Sequence, residues 1–252
     1  MTVQDQNDID GILKVGRVVA RVRDAMLAAI EPDMTTAELD RLGGDLLDRF
    51  GARSAPRVVY DFPGATCISV NEEAAHGVPG SRIIRAGDIV NVDVSAEVDG
   101  YFADTGGTIV VPPIETTKAR LCHATRLALE NALAEARAGA PINRIGKAIQ
   151  GTAKSHGFKV IRNLAGHGIG RSLHEEPGDI VSYHDRRDTR RLQFGQVIAI
   201  EPFLSTRSTQ VTEAEDGWTL VGHPANLSAQ YEHTIIVTRG APIVATLSES
   251  HG

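Results

Sequence analysis

The sequence predicts an α+β protein built as two similar halves whose sheets face one another across a cleft. Two observations carry this: the order helix, helix, strands occurs twice along the chain, and Arg41-Leu42-Gly43 is echoed by Arg144-Ile145-Gly146, 103 residues on, early in the second helix of each half. A third points to the cleft, because carboxylates interrupt β-like runs where apolar side chains are the rule and a histidine stands unshielded among glycines.

The first helix is expected over Ile9 to Ile30, where Ile12, Val15, Val19, Val22 and Met26 recur at three- and four-residue steps. Glu31-Pro32-Asp33 ends it. Thr35 with Glu38 three residues later forms a capping box that opens a second helix through Phe50, stopped by Gly51. Strands are expected at Val58 to Phe62, Thr66 to Val70, Ile89 to Glu97 and Tyr101 to Val111. The second half opens with a helix from about Glu115 to Ala138, breaks at Gly139-Ala140-Pro141, and continues with a helix from Asn143 to His156 before its strands. The whole reads as a single domain over residues 1–252, with halves of about 1–113 and 114–252.

Composition narrows the function. The 252 residues are 42% hydrophobic and 23% charged, an ordinary globular balance. A chain of this length buries roughly 70 to 75% of its unfolded surface and needs no structural metal, so a metal here is expected to be functional. The net charge of −6 supplies no basic field, and no DNA partner is expected. Cys67 and Cys122 are the only cysteines, which suits a reducing compartment; with neither a secretory leader nor an apolar run of about 18 residues, a cytoplasmic protein without membrane contact is expected.

The densest chemistry lies between Asn91 and Asp104. Asp99-Gly100 is a two-residue hairpin signal, and it pairs Val98 with Tyr101, Ser95 with Asp104 and Asp93 with Gly106. Strand alternation then puts Asp93 and Asp104 on one face as diagonal neighbours. Two carboxylates pointing the same way are either a solvated face or a divalent-cation site. His167 stands among Gly166, Gly168 and Gly170, and His174-Glu175-Glu176-Pro177 follows. The glycine spacing is not a dinucleotide fingerprint, and Pro177 with Gly178 excludes the two-histidine metalloprotease helix. Glu201 closes the run Val197 to Ile200, and Glu232 opens the run His233 to Val237. Each is either a strand-end surface residue or a ligand. Together Asp93, Asp104, His167, Glu201 and Glu232 form a hard, oxygen-rich set suited to two divalent first-row ions.

These motifs, in this order, together with Asn71-Glu72-Glu73-Ala74-Ala75-His76-Gly77-Val78-Pro79 and Ser228-Ala229-Gln230-Tyr231-Glu232-His233, give a chain that resembles the type I methionine aminopeptidases over nearly its whole length. The resemblance implies the pita-bread (creatinase/aminopeptidase-like) fold, two pseudo-symmetric α+β halves with the active site between their sheets. It implies removal of the N-terminal methionine from nascent proteins and peptides with a small second residue. It makes Asp93, Asp104 and Glu232 ligands of one metal, and Asp104, His167, Glu201 and Glu232 ligands of the other, the ions being Co, Mn, Fe or Zn. Two-metal hydrolysis through a bridging hydroxide follows, with Glu201 relaying the proton, His174 bonding the scissile carbonyl oxygen and His76 contacting the leaving nitrogen. His76 alone would read as a surface residue.

Phe62, Cys67 and Trp218 match the family's methionine-pocket positions, although Trp218 also reads as packing under a loop and Cys67 as a small buried hydrophobe or an alkylation-sensitive thiol. Pro56, Val59 and Leu173 depart from residues common in bacterial members. The basic run Arg186-Arg187-Asp188-Thr189-Arg190-Arg191 is either a solvated loop or a transient ribosome contact. A monomer is expected. The competing readings are a proline-directed peptidase of the same fold, and a binding module that has lost its ligands; the presence of all five ligand positions and a first helix starting within ten residues of Met1 argue against them.

Overall fold

Asp5 starts the first helix, accepting the Asp8 backbone N–H on its side chain, so α1 (Gln6–Ala28) begins three residues earlier than the apolar periodicity alone indicates. The structure is a computed structural model and describes residues 1–248. The capping box at Thr35 forms as expected, with Glu38 N–H donating to Thr35 Oγ1 at 3.2 Å and Thr35 N–H to Glu38 Oε2 at 2.7 Å, and α2 (Thr36–Arg49) follows. Next come β1 (Arg53–Ser54) and then, in place of the strand expected at Val58 to Phe62, a short helix α3 (Ala55–Tyr60). Ser54 caps it, Pro56 sits in its first turn, and Asp61 ends it in the left-handed conformation at φ 55°. The β-branched Val58 and Val59 are exposed there, so the strand preference that misled the sequence reading has no packing surface to reward it.

The remaining first-half strands are β2 (Cys67–Val70), β3 (Glu73–Ala75), β4 (Ile89–Val98) and β5 (Tyr101–Val110). The β4–β5 hairpin has the expected register, with Val98 opposite Tyr101, Ser95 opposite Asp104 and Asp93 opposite Gly106. On its other edge β4 pairs with β2, which sets Cys67 opposite Asp93, and with β1. The second half brings α4 (Thr116–Glu135) and α5 (Asn143–Ser155), then β6 (Lys159–Val160), β7 (Ala165–Gly168), β8 (Glu175–Val181), β9 (Val197–Ile200), β10 (Phe203–Ser205), β11 (Thr212–Glu213), β12 (Leu220–Val221), β13 (Ser228–Gln230), β14 (His233–Ile236) and β15 (Ile243–Val244). Its main sheet runs β15-β14-β9-β7-β8.

Each half buries its own helices on its own sheet. Val15, Val19, Val22 and Met26 of α1 join Val90, Val92 and Val94 of β4 in one core; Leu121 and Leu129 of α4 and Ile145 and Ile149 of α5 join Ile198, Ile200 and Ile235 in another. Full burial of each such side chain is worth about 1.5–3 kcal/mol. A third cluster, including Ile12, Phe102, Ile169, Val197 and Ala199, spans the halves. The Gly43 and Gly146 echo marks two close approaches with different partners: a Cβ at Gly43 would lie 2.6 Å from Met26 Sδ, and one at Gly146 2.3 Å from the Tyr183 carbonyl.

Hydrogen bonds close the seam between the halves. Thr105 Oγ1 donates to the Glu232 carbonyl at 2.9 Å, Glu232 N–H to the Gly106 carbonyl at 3.0 Å, and Tyr231 OH to the Thr108 carbonyl at 2.6 Å. Glu232, just before β14, is thereby locked against the hairpin that carries Asp93 and Asp104.

Candidate metal centre

All five residues singled out as a ligand set converge on this seam. Asp104, His167 and Glu232 each present a ligand atom, the three atoms lying within 4.8 Å of one another. Glu201 Oε1 is 3.6 Å from His167 Nε2, and the β4–β5 register makes Asp93 and Asp104 diagonal neighbours. Asp104, His167 and Glu232 are buried and Asp93 and Glu201 less so, and all of them but Glu232 line the cleft.

Local structure explains each orientation. His167 sits in an irregularity of the β7–β8 pairing between Gly166 and Gly168, and such a bulge re-aims a side chain. Its Nδ1 donates to the Gly168 carbonyl at 2.9 Å, which leaves Nε2 as the lone-pair nitrogen on the cluster side. Gln230 donates from Nε2 to Glu232 Oε2 at 3.0 Å and accepts at Oε1 from Asn91 Nδ2 at 2.8 Å, fixing Glu232 from behind. Gly106 makes this possible, since a Cβ there would lie 1.9 Å from Gln230 Oε1.

The electrostatics are those of a cation site. Burial first, and then the neighbouring carboxylates, push Asp93 and Glu232 well above the ordinary carboxylate range; burial and Asp104 do the same to Glu201, and burial raises Asp104 to about 6. Burial, reinforced by His174, lowers His167 to about 3 and keeps it neutral. Asp104 Oδ1 and Glu232 Oε1 are buried and make no hydrogen bond to any described residue. Orphaned buried oxygens in a dense carboxylate cluster beside a neutral imidazole are a donor set that divalent ions satisfy.

The cluster opens on a cleft lined by Tyr60, Phe62, Cys67, His76, His174 and Trp218, among others. Phe62 and Trp218 meet edge to face, ring centroids 5.3 Å apart, so Trp218 packs within the pocket wall. His76, at φ 53°, follows β3, and His174 lies against His167 with ring centroids 4.1 Å apart. Both are depressed by burial against the cleft walls. Pro56 and Leu173 line the cleft, whereas Val59 faces solvent outside that lining. Burial, followed by the Asp93 carboxylate, raises the Cys67 thiol well above its usual value, which disfavours the thiolate that alkylation requires.

Sequence reasoning gave no role to Tyr60, whose hydroxyl lies 2.7 Å from His174 Nδ1, because the expected strand hid its position. It also passed over Gln230 and Asn91, which were within quoted motifs but carry no charge to draw attention. The basic run is partly tied down: Arg190 pairs with Asp188 and Asp179, and Arg191 donates to the Gly139 carbonyl, while Arg186 and Arg187 are exposed.

A carboxylate–histidine cluster at the floor of a cleft between two sheets defines a metal-dependent hydrolase site. The model of metallopeptidase family M24 matches residues 10–239, and the chain belongs to this family. It is 47% identical to methionine aminopeptidase 2 of Bacillus subtilis (strain 168), covering 98% of this chain and 99% of that one, and 35% identical to the methionine aminopeptidase of Escherichia coli (strain K12), covering 98% and 94%. The crystal structure of methionine aminopeptidase from Thermotoga maritima superposes with a TM-score of 0.94 at 33% identity, covering 99% of this chain and all of that one. Prolidase from Pyrococcus furiosus, at 22% identity and a TM-score of 0.79, shares the fold; the match covers 98% of this chain and 66% of that one. The architecture is the pita-bread fold expected from the motifs. No helix among the described residues is long and apolar enough to cross a membrane.

Proposed function

We propose that this chain is a methionine aminopeptidase of the type I kind, removing the N-terminal methionine of nascent proteins and peptides that carry a small second residue. The observation that carries the reading is the orphaned oxygen pair, Asp104 Oδ1 and Glu232 Oε1, at the base of a pocket walled by Phe62 and Trp218. Full-length identity to methionine aminopeptidases supports it.

Asp93, Asp104 and Glu232 would hold one divalent ion, and Asp104, His167, Glu201 and Glu232 a second, the ions being Co, Mn, Fe or Zn. Bound there, two such ions would acidify a water so that loss of its proton comes within reach of neutral pH. The protein's own groups do the rest. Glu201, at the cleft edge of the cluster, accepts that proton and passes it toward the leaving amine. His174 donates to the scissile carbonyl oxygen as charge develops on it, and His76 holds the peptide nitrogen of the leaving residue. The Phe62 and Trp218 rings and the Cys67 sulfur take the thioether, which packs well at ring edges. One catalytic domain, with halves meeting near residues 113 and 114, carries this site and acts as a cytoplasmic monomer.

Digestion of Met-Ala-Ser and Met-Leu-Ser followed by mass spectrometry tests the reading. Methionine is expected from the first peptide only; release from neither, by folded and metal-loaded protein, contradicts it.

A further inference from the structure

The adjacent imidazoles of His167 and His174 have different partners on Nδ1, and the difference fixes their chemistry. At His167 the partner is the Gly168 carbonyl, an obligate acceptor, so the ring proton is on Nδ1 and Nε2 is bare. At His174 the partner is the Tyr60 hydroxyl, 2.7 Å away, with ring centroids 5.6 Å apart and planes inclined at 50°. A phenol both donates and accepts, so the direction of this bond is a chemical choice.

The first alternative has Nδ1–H donating to Tyr60, leaving a bare Nε2 lone pair toward the cleft. A bare nitrogen repels the carbonyl oxygen that His174 is assigned to bind. The second has the phenol donating, which leaves the proton on Nε2, where it meets that oxygen. Tyr60 is suited to donate, since burial raises its hydroxyl further above neutrality and keeps it protonated. Backbone geometry holds it in place: Tyr60 is the last residue of α3, and the left-handed turn at Asp61, closed by Asp61 N–H to the Arg57 carbonyl and Phe62 N–H to the Pro56 carbonyl, directs Tyr60 to His174 and Phe62 to Trp218.

We propose that Tyr60 is a positioning residue for the reaction, donating its hydroxyl proton to His174 Nδ1 and so holding His174 as the tautomer with its proton on Nε2. This rests on the methionine aminopeptidase reading for its consequence in turnover. The hydrogen bond itself does not depend on that reading. The two neighbouring histidines then carry opposite tautomers, one presenting a lone pair to a metal and the other a proton to substrate.

Nitrogen-15 spectra of the imidazoles in zinc-loaded protein, with His174 assigned by its loss in His174→Gln, test the tautomer directly. Wild type is expected to show His174 protonated on Nε2 and accepting at Nδ1, and Tyr60→Phe to show a mixture of tautomers. With Met-Ala-Ser, Tyr60→Phe is expected to lower kcat about tenfold, the worth of one hydrogen bond, and to change KM less than about threefold. A wild-type spectrum with His174 protonated on Nδ1 overturns the proposal. So does a Tyr60→Phe variant with unchanged kcat, or with lower kcat but an unchanged tautomer. Should Tyr60→Phe not fold, the wild-type spectrum alone decides. Should wild type release no methionine, the functional reading fails while the spectrum still decides the role of Tyr60.

Discussion

Asp104 and Thr234 exchange two hydrogen bonds across the seam between the halves: Asp104 N–H donates to Thr234 Oγ1 at 2.9 Å, and Thr234 Oγ1 donates to the Asp104 carbonyl at 2.8 Å. One buried hydroxyl thus satisfies both main-chain groups of a residue whose side chain belongs to the cluster. Thr234→Val keeps the shape and removes both bonds. Leaving those groups unpaired is expected to cost about 1–3 kcal/mol, seen as a lower urea midpoint for the metal-free protein; an unchanged midpoint would contradict the role given to this seam.

Gly106 tests how far the support of Glu232 matters. An alanine there drives Gln230 from its place between Asn91 and Glu232. Overpacking is expected to cost about 1–3 kcal/mol, and loss of the Gln230 bond to weaken metal affinity about 10- to 100-fold. Calorimetric titration of the metal-free variant with Mn(II) checks this, and wild-type affinity would show that Gln230 is dispensable.

These two supports also show where sequence reading stops. The β4–β5 register was legible because Asp99-Gly100 fixes a two-residue turn and alternation does the rest. The five cluster residues were legible because acids that interrupt or bound apolar runs, and a histidine set among glycines, demand an explanation. Neutral groups such as Thr234, Gln230 and Asn91 make no such demand, and their roles arise only when the second half closes on the first. Tyr60 was lost to Val58 and Val59, whose strand preference is outweighed by the Ser54 cap, Pro56 and the Asp61 turn.

Glu201→Ala separates chemistry from folding. Burial raises the Glu201 carboxyl well above its ordinary value, and Asp104 adds to this, so its removal relieves repulsion in the metal-free protein and the fold is expected to persist. Turnover of Met-Ala-Ser is expected to fall at least about 10³-fold. Wild-type-like turnover would end the proton-transfer role assigned to Glu201.

The basic loop has its own pH signature. Asp188 is lowered by its hydrogen bond and ion pair with Arg190, so the folded state binds fewer protons than the unfolded one around the ordinary aspartate range. The pair therefore stabilises above that range, and its contribution is lost as pH falls through the lowered value. Arg190→Ala is expected to cost up to about 1 kcal/mol near pH 7 and progressively less as the pH falls below the ordinary aspartate range, by thermal unfolding across that range; a loss independent of pH would refute the linkage. Replacing Arg186, Arg187, Arg190 and Arg191 together also tests ribosome contact, since unchanged ribosome pelleting would exclude this loop from it.

The central claim is most directly tested by methionine release from Met-Ala-Ser by metal-stripped protein, before and after addition of Mn(II) or Co(II), with Ala-Pro-Ser alongside. The account predicts no release before metal, release after it, and no cleavage of the proline peptide. Cleavage of Ala-Pro-Ser alone, or of neither peptide by folded and metal-loaded protein, would contradict it.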